Sequence, residues 1–158
     1  MEMHEIARIG RLFLDGDDFE NALIDKTGAT DYDFDCFNRV KAVLLKIERI
    51  ATDKTVYAIM WARYAAGGAV VIPLIAGSSL PMEGCKRMLG NPVLLRAFDG
   101  AEDGVLRRDT GAVSHYYPVE NSCGDRVGVL ELLTGMAEPK DVSYVDMFVP
   151  SREEFKRS

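Results

Sequence analysis

Apolar residues recur at helical spacing over residues 36–51. Phe37, Val40 and Leu44 follow one another at steps of three or four, which places them on one face of a helix. Charged residues fill many of the other positions, and Asp35 stands where a carboxylate can cap the free backbone amides of the first turn. The pattern predicts an amphipathic helix that packs on a sheet or on the same helix of a second copy.

Shorter helical patterns precede and follow this segment. Residues 3–14 place apolar side chains near one helical face, and residues 18–25 continue the pattern. Residues 81–100 predict two short helices, the second with Pro92 in its first turn. Residues 139–148 predict a helix by which the chain leaves the domain.

Five segments have the composition and the boundaries of strands: 55–65, 69–76, 104–108, 112–120 and 126–134. Gly67 and Gly68 allow a tight hairpin between the first two, and Pro73 predicts that the second strand is an edge strand or ends there. Helices and a run of strands in this order predict an α+β fold, with a central antiparallel sheet of about five to six strands flanked by helices.

The segment 116–135, YYPVENSCGDRVGVLELLTG, has a recognisable form. A strand with the step Tyr117-Pro118-Val119 meets a Gly/Asp turn, and the strand with Val127-Gly128-Val129-Leu130 follows. This closing hairpin, and the order of elements from the helix at 36–51 onward, resemble the GAF family of sensor domains. The resemblance implies an N-terminal helical extension at 1–35, a GAF-like sensor domain at 36–150 and a tail at 151–158.

The resemblance also carries functional expectations. A GAF-like domain senses a small molecule, forms a homodimer through its flanking helices, or does both, and it controls an output domain. Here the flanking helices are those at 36–51 and 139–149. The chain is then expected to be a fragment of a longer bacterial signalling protein, and not an enzyme in its own right.

Net charge and cysteine content indicate which partners and which cellular compartment to expect. The net charge is −6, so the domain repels nucleic-acid phosphates and anionic lipid heads. The N-terminus is not a signal peptide, and the apolar stretch at 65–76 is too short to span a bilayer. The three cysteines are widely spaced, as in a reduced cytosolic protein. We therefore expect a cytoplasmic domain that binds neither nucleic acid nor membrane.

The aromatic residues Tyr57, Trp61 and Tyr117 are candidates to line a small-molecule pocket, with core packing as the alternative. Tyr64 is a further candidate from the opposite face of its strand. In GAF-like folds the sheet surface that carries His115 can face the ligand. That residue is either a ligand contact, such as a haem ligand, or a structural hydrogen-bonding histidine.

Two charged residues interrupt apolar strands and are candidate ligand contacts. Arg63 and Glu131, if buried, should pair with each other or contact a charged ligand. Arg96, in a predicted short helix, is a candidate anion contact.

No motif identifies a cofactor, a metal site or catalytic residues. The acids of residues 31–35 alternate as in a calcium loop, but Cys36 and Ala42 occupy positions where that loop needs Gly and Glu. Two alternatives to a sensor stay open. One is a thiol-dependent free-methionine sulfoxide reductase on a GAF fold, with Cys85 and Cys123 as its thiols. The other is a dimerisation module that binds no ligand.

Overall fold

The computed structural model describes residues 2–22, 34–50, 55–65, 67–75, 88–100 and 103–135. These ranges contain four helices: α1 (Met3–Phe13), α2 (Gly16–Ala22), α3 (Phe34–Ile50) and α4 (Pro92–Asp99). They also contain six strands: β1 (Tyr57–Arg63), β2 (Val70–Ile75), β3 (Met88–Leu89), β4 (Gly104–Arg107), β5 (Val113–Glu120) and β6 (Arg126–Thr134).

The described strands form one sheet in the order β3-β2-β1-β6-β5-β4, and every neighbouring pair is antiparallel. The two hairpins β1–β2 and β5–β6 are both as predicted, and β1 joins them by pairing with β6. The predicted α+β class with a central antiparallel sheet is confirmed.

Helices cover both faces of the sheet, which explains why β1 and β6 are apolar in nearly every position. We call the face under α1, α2 and α3 the helix face; it carries Ala58, Met60, Leu130 and Leu132. We call the opposite face the α4 face; it carries Ile59, Trp61, Val129 and Leu133. Among the described helices, none is long and apolar enough to cross a membrane.

The long helix α3 follows the predicted pattern, with Val40, Leu44 and Ile47 buried in the core of the helix face. It starts at Phe34, so Asp35 lies in the first turn and is not the N-cap. The reason is that the helix extends about two residues further toward the N-terminus than its apolar pattern shows.

The predictions at the β2 end of the sheet were wrong in part. Met88 and Leu89 were expected in a short helix, but they form β3, which pairs with the start of β2. The strand β2 does not end at Pro73 and is not the outermost strand, but β3 pairs only with Val70 and Val71, so no described strand pairs with the outer side of β2 at Pro73. The Tyr64 amide donates to the Val70 carbonyl, and hydrogen-bonded and non-hydrogen-bonded pairs alternate along antiparallel strands. Trp61 and Pro73 therefore form a non-hydrogen-bonded pair, so the N–H that Pro73 lacks would not have bonded to β1.

The predictions for residues 23–25, 81–87, 139–148 and 151–158 fall outside the described residues.

The short helix α2 is held against the β5–β6 turn. The Ser122 amide donates to the Asp17 carboxylate at 3.1 Å, and the Asn121 side chain donates to Glu20 at 2.9 Å. Gly16 packs so closely here that a Cβ at this position would overlap the carbonyl oxygen of Glu120. Only a glycine lets the start of α2 approach the strand so closely.

We predict that Gly16→Ala lowers the free energy of unfolding by about 1–3 kcal/mol, because the added methyl displaces backbone rather than a side chain. Urea denaturation measures the change. Asn21→Ala is the control, since Asn21 is exposed in the same helix and alanine favours helix there. Equal effects of the two substitutions would contradict the tight approach.

Glu48 ties α3 to the sheet. Its carboxylate accepts a hydrogen bond from the Ala58 amide at 3.1 Å, and burial raises the pKa of Glu48 above its ordinary value despite that bond. The folded state therefore holds the proton more tightly than the unfolded state. Stability is lost as the pH rises from the ordinary carboxyl pKa through the raised one.

We predict that Glu48→Gln, which keeps an acceptor for Ala58 but cannot ionise, is more stable than the parent at pH 7. The advantage should shrink as the pH falls from 7 to the ordinary glutamate pKa, near 4, and stay constant below it. Thermal unfolding across this pH range measures it. Glu5→Gln, the same substitution at an exposed position, serves as control. A constant difference at all pH values would argue against the buried carboxylate as its cause.

Candidate functional site

The helix α4 is built by local signals and lies across the sheet. The Asn91 side chain accepts from the Leu94 amide at 2.9 Å and caps the helix, and Pro92 occupies its first turn. Leu94 and Ala97 are buried against the α4 face. The prediction of a helix in this segment, with Pro92 near its start, is confirmed.

Beneath this helix a carboxylate is buried in the middle of the sheet. Glu131 of β6 has 0% of its surface exposed. It accepts from the Trp61 indole N–H at 2.7 Å and from the Ser114 hydroxyl. A buried carboxylate is tolerated only when its oxygens are bonded in this way.

Further polar groups extend this arrangement on the same face. The Ser114 hydroxyl also accepts from the Arg108 guanidinium at 2.8 Å. The Tyr116 hydroxyl accepts from the Asn91 amide at 2.9 Å, so the residue that caps α4 also fixes a tyrosine of β5. We call these residues the Glu131 cluster: Trp61, Asn91, Arg108, Ser114, Tyr116 and Glu131.

Tyr116 is a neutral phenol within the cluster. Burial raises its pKa far above the ordinary value, and the negative charge of Glu131, which lies directly opposite in the strand register, raises the pKa further. Bonds from Asn91 and the positive charge of Arg108 act in the other direction and are weaker. The tyrosine therefore keeps its proton and remains able to donate as well as accept a hydrogen bond.

Three of the residues predicted from sequence lie together on the α4 face: Tyr57, Trp61 and Glu131. All are buried, and Trp61 is bonded to Glu131. Burial, and then the charge of Glu48, raise the pKa of Tyr57.

Two of the predicted residues, Tyr117 and His115, lie on the opposite, helix face. Their rings stack with centroids 6.5 Å apart, and the Arg11 guanidinium lies over the Tyr117 ring at 5.5 Å. The grouping of Tyr117 with Trp61 in one pocket wall was therefore wrong. The register pairs Tyr116 with Glu131, so Tyr116 faces α4 and its neighbour must face away.

Arg63 and Glu131 do not pair with each other. Arg63 lies at the end of β1, four residues beyond the residue opposite Glu131, and donates to Asp99 at 2.5 Å and to the Gly68 carbonyl at 2.6 Å. The hydrogen bond from Arg63 holds the pKa of Asp99 below its ordinary value. Arg63 thus connects the end of α4 to the β1–β2 turn.

Arg96 is exposed on α4 and lines a cleft of about 700 Å³ between that helix and β4. Asp99 and Asp103 supply negative charge to the same cleft. A smaller cleft of about 400 Å³ lies near the end of α1 and is lined in part by Arg11 and Arg126. Both clefts combine basic and acidic side chains, which suits a small polar molecule with groups of both kinds.

The described cysteines lie apart. Cys123 is exposed in the β5–β6 turn, whereas Cys36 is buried in α3 and donates to Asp18 at 3.4 Å. A hydrogen bond from Arg39 lowers the pKa of that aspartate. Cys85 lies outside the described residues. Within the described ranges, no group of three or more His, Cys, Asp or Glu residues is arranged to hold a metal ion.

Comparison with known proteins gives few matches. No protein-family model matches the chain, and no curated protein matches it. Among solved structures, this chain is similar to the A. aeolicus NLH2 GAF domain in an inactive state, with a TM-score of 0.45, 12% sequence identity and 85% of each chain covered. The strand pairing itself shows the α+β arrangement that the sequence predicts, a central antiparallel sheet with helices on its faces.

We predict that Ser114→Ala lowers the free energy of unfolding by about 1.5–3 kcal/mol, because it removes a bond to the buried Glu131 carboxylate and one from Arg108. Urea denaturation followed by tryptophan fluorescence measures it, and Trp61 is the sole tryptophan of the chain. Ser122→Ala, in the exposed β5–β6 turn, is the control and should change stability by less than about 0.5 kcal/mol. Similar losses in the two variants would count against a bonded Glu131 cluster.

Proposed function

We propose that this chain is a regulatory domain of a cytoplasmic signalling protein, which binds a small molecule on the α4 side of its sheet and controls an output domain. The observation that carries the proposal is the Glu131 cluster. A carboxylate, an indole N–H, a hydroxyl and a phenol meet under α4, where packing alone would favour apolar residues.

The surroundings of the cluster support a binding role. The cleft beside α4 is within the size range of small-molecule sites, and Arg96 gives it an exposed cation. Asn91 and Arg63 attach the two ends of α4 to the sheet, by way of Tyr116 and the β1–β2 turn. A ligand that favours one position of α4 would therefore act on the sheet through these contacts, in proportion to its differential affinity for the two positions.

We also propose that the domain acts as a homodimer through one of its helices. The outward side of α3 is polar and carries Asn38, Arg39, Lys46 and Arg49. The last turn of α1, by contrast, leaves Leu12 73% and Phe13 66% exposed. Of the described helices, α1 is thus the better candidate for an apolar contact with a second copy.

A dimerisation module that binds no ligand is the second candidate. It is favoured by the fact that Trp61 and Glu131 are fully buried and bond to each other, so no added molecule is needed to satisfy them. A sensor and a ligand-free module differ in whether a small molecule accompanies the purified protein.

Native mass spectrometry of the gently purified protein tests the proposal. We expect the monomer to be heavier than the 17.5 kDa chain by the mass of one small molecule, and a dimer to be heavier than two chains by two such molecules. The added mass should be released on denaturation. Arg96→Ala should reduce that occupancy by about tenfold, as for loss of one charged contact. Lys46→Ala removes an equal charge from α3 and should leave occupancy unchanged.

Two outcomes would decide against the proposal. Dimers without added mass would support the ligand-free module. Monomers without added mass would overturn both the ligand and the helix-mediated dimer.

A further inference from the structure

The strand β4 is the outermost strand at one end of the described sheet. It pairs with β5 on one side, and within the described ranges no strand pairs with its other side. Natural edge strands are commonly protected by proline, by a bulge or by repelling charges. β4 has the sequence Gly-Val-Leu-Arg, and its pairing with β5 is regular.

The hydrogen-bonding pattern shows which backbone groups of β4 face outward. The Arg108 amide donates to the Ala112 carbonyl at 2.9 Å, so these two residues form a hydrogen-bonded pair. Because such pairs alternate along an antiparallel ladder, Leu106 and Gly104 bond to β5 and the residues between them do not. The N–H and C=O groups of Val105 and Arg107, and by the same alternation Asp103, therefore point away from the sheet.

The side chains of these three residues share one face and are exposed. Val105 is 47% exposed, and Asp103 and Arg107 are exposed on either side of it. The negative charge of Asp103 adds to the rise in the pKa of Tyr117, which places Asp103 near the helix-face side of β5. Opposite charges thus flank an exposed valine at equal distances along the strand.

This sequence is complementary to itself. If a second β4 runs antiparallel with Val105 against Val105, Asp103 of each copy lies opposite Arg107 of the other. The three outward-facing residues then form hydrogen-bonded pairs, giving about six backbone hydrogen bonds. The charges and the backbone groups require the same register.

Neighbouring registers lack this match. With the two-fold axis at Leu106, Val105 lies opposite Arg107, and Asp103 lies opposite Asp109, which places like charges together. With the axis at Gly104, Asp103 lies opposite Val105 and loses its arginine. The axis at Val105 alone pairs both charges of both copies.

We propose that two copies of this chain associate by antiparallel pairing of their β4 strands about a two-fold axis at Val105. The two sheets become one continuous sheet across the axis. This surface is separate from the exposed end of α1. It includes Asp103 and Val105, which also line the cleft between α4 and β4. With a strand of four residues, the association is weak and depends on salt concentration.

A charge exchange tests the register. Asp103→Arg places two arginines against each other at both ends of the contact, and Arg107→Asp does the same with aspartates. Sedimentation velocity over a range of concentrations should show self-association weakened at least about tenfold in each single variant. The double variant Asp103→Arg/Arg107→Asp restores both pairs and should return to within about threefold of the parent.

A proline tests the backbone contribution. Val105→Pro removes an N–H that points outward and leaves the bonds to β5 intact, so the domain should keep its melting temperature and lose the association. All variants are repeated with Leu12→Asp/Phe13→Asp present, which removes any contribution of α1.

A cross-link tests the position of the axis. In hydrogen-bonded antiparallel pairs the Cα atoms are about 5.5 Å apart, within the range of a disulfide. Val105→Cys/Cys123→Ser should therefore form a covalent dimer under mild oxidation. The parent, whose exposed Cys123 lies in the β5–β6 turn, is the control and should cross-link at least about tenfold more slowly.

Any of three results overturns the proposal. One is self-association that is unchanged in both single charge variants and in Val105→Pro. The second is cross-linking at position 105 no faster than in the parent. The third is complete loss of association in Leu12→Asp/Phe13→Asp alone, which would assign the dimer to α1 and not to β4.

Discussion

The pairing of β1 with β6 is the interaction on which the rest of this structure depends. It joins residues near position 60 to residues near position 130, and so connects the β1–β2 hairpin to the β5–β6 hairpin. The register of this pairing sets which side chains of β1 and β6 face α4, because a shift by one residue would move each side chain to the opposite face of the sheet. Since the loop it closes is long, this pairing is also the slow, non-local part of folding.

The same register creates the polar centre of the molecule. It places Trp61 diagonally beside Glu131, close enough for the indole N–H to bond to the carboxylate. Burial of the Glu131 carboxylate in an apolar core without hydrogen-bond donors would greatly lower the stability of the fold. Glu131 thus makes the fold depend on a correct register, since a misaligned β1 would leave the charge without Trp61. Buried polar groups act in this way in some proteins, where they select one arrangement over others.

The sequence predicted the parts of the structure that are set locally. The apolar spacing in α3, the glycine turn before β2 and the proline at the start of α4 are all signals within a few residues, and each was correct. The choice between Tyr116 and Tyr117 was not local, because it depends on which residue of β5 lies opposite Glu131. The contact of Arg63 was also predicted wrongly. Arg63 bonds to Asp99, and no local pattern in the sequence shows that these two segments lie next to each other. Glu131 was singled out because a lone acid in an apolar strand needs an explanation, and the structure shows it buried and bonded to Trp61 and Ser114.

The position of Trp61 has a practical consequence. It is the sole tryptophan of the chain, and its ring is fixed between the strands of the sheet and a single carboxylate. Its fluorescence therefore arises from one place, the boundary between α4 and the sheet. A rearrangement there would change the emission of an otherwise unlabelled protein, whereas events confined to α1 or the turns would leave it as it is. The protein therefore carries its own optical probe at the contact between α4 and the sheet.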